Sequence, residues 1–326
     1  MPLRFLSLPV RLFAALAMLA AATPPACAWP DKPVRIVVPA PAGSSLDLVA
    51  RTLAEKLWPV WRQPVIVDNR PGAGGLIGVD IAAKSAADGH VMALGFNGPL
   101  AFAPFLYGRM PYRPTTDLAP VILASRQPNV LAVTASIPPR TVSALVMWAE
   151  SQAAPLRYAS IGSGSSSHLA MELFVREAGF AAMHVPYQGS PAAALSVARG
   201  DTQLLFAVAS GVLPQVERRQ VKLLAVTSAR RFPGLKDLPT MIECGFPRFV
   251  ADAWNGLVVA AATPRQIVLH INRDVGKVLA SDDVRTGFLA LGMAAAGGTP
   301  EQFSEVMRQE MDRWGPLIRQ ANIRLE

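Results

Sequence analysis

The sequence predicts an α/β fold, and three observations predict it. Short β-branched runs recur along the chain. Most lack alternation of apolar and polar residues, as strands do in a parallel sheet covered by helices on both faces. Segments with apolar residues at helical spacing lie between these runs, an order that implies right-handed crossovers. Four times an apolar strand runs into a loop of Gly, Ser, Ala and Pro and then into a helix, at residues 39–46, 69–75, 161–167 and 188–191.

The elements follow in order. Arg4 and Arg11 form a basic start with no acid before Asp31, residues 12–22 are apolar, and Ala26-Cys27-Ala28 is an A-x-A site. This predicts a secretory signal peptide over residues 1–28, cleaved after Ala28, and an exported chain starting at Trp29. Pro24 stands where a lipidation motif wants a Leu-like residue, which argues against a lipid on Cys27. Strands are expected at 34–38, 65–67, 91–94, 121–123, 130–133, 157–160, 184–187, 204–208, 222–226 and 257–260. Leu46, Val49, Ala50, Leu53 and Leu57 mark the first helix, and Ser44 with Asp47 resembles a capping box opening it. A helix follows Gly72-Ala73-Gly74-Gly75, and Leu169, Ala170, Leu173 and Phe174 mark another. Ser190-Pro191 predicts an N-cap and an N1 proline before a helix over 192–198. Thr263-Pro264-Arg265-Gln266 and Thr299-Pro300-Glu301-Gln302 repeat one start signal, Thr cap, Pro at N1 and Gln at N3, for helices near 266–279 and 301–320. The Pro-rich residues 109–120 read as irregular loop.

Composition narrows the function. The formal charge is +8, from 31 basic and 23 acidic residues, and loss of Arg4 and Arg11 would lower it by two. The basic residues are dispersed and not interleaved with aromatics, so no nucleic-acid partner is indicated. After the leader, Cys244 is the one cysteine left. The exported chain therefore has no internal disulfide, and Cys244 reads as a small buried hydrophobe. A mature length of about 300 residues suggests two domains or one large one.

The loops carry the chemistry. The first N–H groups of a helix lack internal partners and sit at the positive end of its dipole, so they bind anions without a charged side chain. Small residues let a ligand approach the backbone. Several such loops facing one cleft would grip a carboxylate-bearing small molecule. The serine loop, residues 158–168, is the richest; its hydroxyls and N–H groups suit a carboxylate or phosphate as well as an ordinary N-cap. It lacks the third glycine of a dinucleotide fingerprint, with Ser167 in that place, and the flanking glycines of a nucleophile elbow. Glycines 72–75 are spaced wrongly for a dinucleotide turn. His90, His168, His184 and His270 show no metal-like pairing. Asp47 reads as a helix N-terminal acid, Asp68 as a strand-end turn residue, and the tryptophans as packing residues.

The ordered motifs resemble those of the Bug family, the extracytoplasmic substrate-binding proteins of tripartite tricarboxylate transporters, from about Trp29 to the C-terminus. They are Asn69-Arg70-Pro71-Gly72-Ala73-Gly74-Gly75, Tyr158 with Gly162-Ser163-Gly164-Ser165 and His168-Leu169, His184-Val185-Pro186-Tyr187-Gln188-Gly189, and Trp254-Asn255-Gly256-Leu257. The resemblance implies a two-lobed type II periplasmic binding-protein fold, each lobe a mostly parallel sheet flanked by helices. Lobe one would comprise residues 29–126 plus 252–326, and lobe two residues 127–251. It implies a monomeric periplasmic receptor that closes about a hinge on a small organic acid (dicarboxylate, amino acid or aromatic carboxylate) and hands it to membrane permease subunits. No cofactor, metal or catalytic residue is implied. The expected ligand-binding residues are Ala42, Gly43, Ser44, Ser45 and Leu46; Asn97; Ser163, Ser165 and Ser166; and Tyr187, Gln188, Gly189 and Ser190. The chain departs from the family pattern at Ala40, Ser44 and Leu46, and at Ala207, where an acid is common. Two other readings stay open: an exported α/β hydrolase pairing a serine with His168 or His184, and a ligand sensor for a membrane signalling partner.

Overall fold

The structure, a computed structural model, describes residues 29–325; the expected signal peptide, with Cys27, lies outside the described residues. The strands are β1 (Val34–Val38), β2 (Val65–Asn69), β3 (Val91–Phe96), β4 (Leu118–Gln127), β5 (Asn129–Thr134), β6 (Leu156–Ser160), β7 (Ala182–Pro186), β8 (Leu204–Val208), β9 (Val221–Val226), β10 (Ala253–Ala260) and β11 (Ala294–Gly297). The helices are α1 (Ser45–Trp61), α2 (Leu76–Ala83), α3 (Ala103–Leu106), α4 (Val142–Glu150), α5 (Ser166–Ala178), α6 (Ser190–Arg199), α7 (Ala209–Glu217), α8 (Arg265–Ala280), α9 (Asp282–Ala290) and α10 (Pro300–Gln320). None of the described helices is long and apolar enough to cross a membrane.

Each expected strand is present, in two sheets ordered β11-β4-β10-β3-β1-β2 and β7-β6-β8-β5-β9. The architecture is the expected two-lobed α/β fold, but the sheets are mixed rather than mostly parallel. β1 pairs parallel with β2 and β3, and β6 with β7 and β8, where crossover connections build each lobe locally. β10 runs antiparallel to β3 and β4, and β5 antiparallel to β8 and β9. These strands enter a sheet from the other lobe, so they run against the strands that local crossovers supply.

Two crossings join the sheets. β4 passes into β5 through Pro128, and the chain returns from β9 through Ala251 and Asp252 into β10. Asn129 binds them together: its amide Nδ2 donates to Ala251 O at 2.7 Å, and its N–H to Thr227 Oγ1 at 2.9 Å. One apolar cluster runs through both lobes, with Phe102, Leu106, Trp314 and Ile318 from one and Leu169, Leu173, Phe174 and Phe206 from the other. Separate clusters lie under α1 and α8 (Leu53, Leu57, Ile271, Val275) and under α6 and α7 (Ala193, Val197, Val212).

The helix starts differ in instructive ways. At Thr299 the capping box forms in full with Gln302. At Thr263 the same sequence signal does not cap: the hydroxyl donates back to Ala260 O at 2.7 Å, and α8 starts after Pro264 with no side-chain cap. Ser190 is the first residue of α6 rather than its N-cap, because Gly189, at φ 94°, occupies the cap position.

Candidate functional site

The loops at the C-terminal ends of β1, β2, β6 and β7 meet across the cleft around a cavity of about 110 Å³. Lobe one supplies Pro39, Ala40, Pro41, Ser44, Ser45, Leu46, residues 71–75 and Phe96; lobe two supplies Ile161, Gly162 and residues 187–190. The lining holds no Lys, Arg, His, Asp or Glu side chain.

The loop after β1 is braced from behind. Ser44 Oγ accepts the Asp47 N–H at 3.3 Å, as an N-cap should. Asp47 turns its carboxylate not to Ser44 but to the Gly43 N–H at 2.9 Å, Arg51 Nε at 2.9 Å and Asn69 Nδ2 at 3.0 Å. Burial alone would raise the Asp47 pKa, but these hydrogen bonds outweigh it and hold the acid below its usual range. Asp47 thus binds the first loop to β2, while the Ser44 cap takes the Asp47 N–H and leaves the Ser45 and Leu46 N–H groups of α1 without an intrahelical partner beside the cavity.

Ser45 and Ser190 are the first residues of α1 and α6, one from each lobe. They are 5% and 3% exposed, both line the cavity, and neither hydroxyl has a protein partner among the described residues. Two hydroxyls without protein partners, on buried residues at the cavity wall and beside two helix N-termini, make a polar end in an otherwise largely apolar cavity.

Seven of the expected ligand residues share this lining: Ser44, Ser45, Leu46, Tyr187, Gln188, Gly189 and Ser190. The other six stand elsewhere. Ala42 and Gly43 form the turn behind the loop. Ser163 places its carbonyl 2.9 Å from where a Cβ on Gly74 of the other lobe would lie. Ser165 is the α5 N-cap, accepting from the His168 N–H at 3.3 Å and donating to Gly162 O at 2.6 Å. Ser166 is buried in the first turn of α5. Asn97, fully buried, donates to Asp252 O at 3.3 Å, and its Oδ1 has no partner. Residues 39–41, residues 71–75, Phe96, Ile161 and Gly162 also line the cavity and are not among the expected ligand residues. All but Phe96 fall within the loops at 39–46, 69–75 and 161–167 and so carried the loop signal; Phe96 carried none beyond its place at the end of β3. Of the family departures, Ala40, Ser44 and Leu46 line the cavity, whereas Ala207 is buried in β8 opposite Val130.

Ser160 Oγ lies 2.7 Å from His184 Nε2. That pairing resembles a nucleophile and base, but Ser160 is fully buried and outside the cavity lining. Among the described residues no three His, Cys, Asp or Glu side chains gather as a metal cluster would.

Residues 49–323 match the family model described as "Tripartite tricarboxylate transporter family receptor". Protein BugT of Bordetella pertussis is 33% identical over 299 residues, 91% of this chain and 92% of that protein. Among solved structures, Rpa4515 of R. palustris with adipate superposes at a TM-score of 0.88 with 34% identity, covering 91% of this chain and all of that one. The periplasmic binding protein BugD superposes at 0.86 with 30% identity, covering 91% of this chain and all of that one.

Proposed function

We propose that this chain, which belongs to the tripartite tricarboxylate transporter receptor family, captures a small carboxylate between its lobes through uncharged groups alone. It is a solute-binding receptor of the two-lobed periplasmic type. The observation that carries the ligand reading is the pair Ser45 and Ser190: two hydroxyls without protein partners, on buried helix-start residues from different lobes, at one cavity. A carboxylate between them accepts both hydroxyls and the first-turn N–H groups. Its charge is then held by dipoles rather than by a desolvated cation.

The lobes divide at the two crossings, near Gln127 and Asp252, and hinge there; the sheet membership of β4, β5, β9 and β10 supports this. Bound acid bridges Ser45 to Ser190 and shifts the population towards the closed form. The closed receptor, a monomer exported to the periplasm and starting at Trp29, delivers the acid to permease subunits. Adipate in Rpa4515 supports a carboxylate ligand.

Native mass spectrometry of freshly purified protein, followed by calorimetric titration with adipate, succinate, malate, glutamate and benzoate, tests the reading. At least one acid binds one-to-one, and Ser45→Ala and Ser190→Ala each weaken it by about tenfold or more, as expected for a hydrogen bond to a charged group. No binding across the panel, or unchanged affinity in both variants, would overturn it. N-terminal sequencing of the exported protein checks the cleavage site.

A further inference from the structure

Behind the lip formed by residues 161–164 lies a cluster of titratable side chains outside the cavity lining. The rings of His168, on α5, and His184, on β7, stack with centroids 3.9 Å apart and planes 12° from parallel. Tyr158 of β6 stacks on His184 at 5.0 Å, and its hydroxyl donates to the Glu172 carboxylate. Burial pushes His168 down to about 4; burial, and then the neighbouring imidazole, push His184 down to about 3, against the opposing pull of Glu172. Both rings are therefore neutral at neutral pH.

A neutral imidazole accepts at one nitrogen only. His168 Nδ1 takes the Gly164 N–H at 3.1 Å, which leaves its proton on Nε2, 3.8 Å from the Glu172 carboxylate. On the other side, Ser160 Oγ takes the Gly162 N–H at 3.3 Å and is itself held by His184 Nε2 at 2.7 Å. Two amides of the lip thus end on acceptors that the stacked pair supplies or holds. The lip needs them: Gly162 and Gly164 have φ of 135° and 75°, Gly162 lines the cavity, and Ser163 meets Gly74 across the cleft.

We propose that His168 and His184 are positioning residues for ligand capture: as a neutral stacked pair they latch the 161–164 lip into the shape that closes the cavity. The proposal rests on the carboxylate-receptor reading for its functional consequence, but not for the latch itself. A protonated His168 turns an N–H towards the Gly164 N–H, and its charge lies 3.9 Å from its stacked neighbour. The groups facing the pair are Tyr158 and Ser160 from β6 and Glu172 one turn along α5; only Glu172 favours the charged ring. Acid therefore releases the lip.

The test compares the wild type with His168→Asn and His168→Leu. Asn offers a neutral acceptor near the Nδ1 position and cannot take up a proton; Leu offers none. Hydrogen exchange of peptides spanning 161–165, corrected for intrinsic rates, is measured at pH 7 and pH 4, beside the affinity for adipate. In the wild type, protection of the lip is present at pH 7 and falls at least tenfold at pH 4. In the Asn variant it persists at both. In the Leu variant it is lost at both, and adipate binding weakens at least tenfold. Wild-type protection in the Leu variant, or identical acid responses in the wild type and the Asn variant, overturns the latch. If the wild type binds no adipate, exchange alone decides the latch, and the acid panel above decides the carboxylate reading.

Discussion

Ser165 has the composition of a ligand residue and the geometry of a cap. Its hydroxyl is fully engaged, accepting from His168 N–H and donating to Gly162 O. Ser165→Ala is therefore expected to lower stability by about 1 kcal/mol, the usual worth of an N-cap, and to weaken binding only through the lip. Equal losses of affinity in Ser165→Ala and Ser45→Ala, with no change in melting temperature, would return Ser165 to the site. Ser45 and Ser165 are indistinguishable as letters in a Gly/Ser loop; which hydroxyl turns to the backbone and which to the cleft depends on the partner segment each faces. The same scale governs acid response. His168 falls from 6.5 to about 4 on burial, so the unfolded chain takes up the proton first as pH drops. The stability present above pH 6.5 is lost between 6.5 and about 4, on the order of 3 kcal/mol for this group. Calorimetric melting across that window should show a smaller fall in His168→Asn than in the wild type; parallel curves would refute the assignment.

At the level of elements, two helices with one start signal behave differently. Thr299 and Gln302 satisfy each other's backbone N–H groups, so Thr299→Ala should remove about 1 kcal/mol and about 2–4 °C of melting temperature. Thr263 is spent on Ala260 O instead, so Thr263→Ala acts on the end of β10 and leaves the α8 start unchanged. Helicity lost from α8 by exchange in that variant would contradict this. The Thr-Pro-x-Gln pattern predicts where a helix starts; the chain just before it decides whether the Thr is free to cap. The edge strand β11 was not legible for a related reason. Ala294–Gly297 has no β-branched residue, and it extends because β4 offers it an open edge. Strand direction was equally hidden, since β5 and β10 read like their parallel neighbours until the crossings between lobes are known.

At the level of the whole molecule, the lobes touch through glycines. A Cβ on Gly189 would lie 2.8 Å from Pro41 Cδ, and one on Gly74 2.9 Å from Ser163 O, each across the cleft. Gly179, with φ 78°, has nothing within 4 Å. Gly179→Ala therefore carries the backbone strain of a positive φ, about 1–2 kcal/mol, without obstructing closure. Gly189→Ala carries both. It should weaken ligand binding at least tenfold and leave the ligand-induced compaction seen by small-angle scattering incomplete, whereas Gly179→Ala binds as the wild type does. Equal affinities in the two variants would sink hinge closure through this contact.

Much was decided by local chemistry. Strand positions, the loop-to-helix transitions that present free N–H groups, the family and the receptor reading all follow from short-range patterns, because β-branched runs, helical spacing and glycine turns act within a few residues. Part of the cavity lining was equally legible, where loops end directly at the cavity, as at Ser44, Ser45 and residues 187–190. Only the tertiary structure decided the rest: that Ser165 and Asn97 turn inward, that Phe96 and Pro71 face the cavity, that Ala207 does not, and that two distant histidines stack beneath one loop. The physical reason is that a polar side chain settles on whichever partner the fold brings within hydrogen-bonding distance, and here those partners come from the far side of a cleft or from a neighbouring strand.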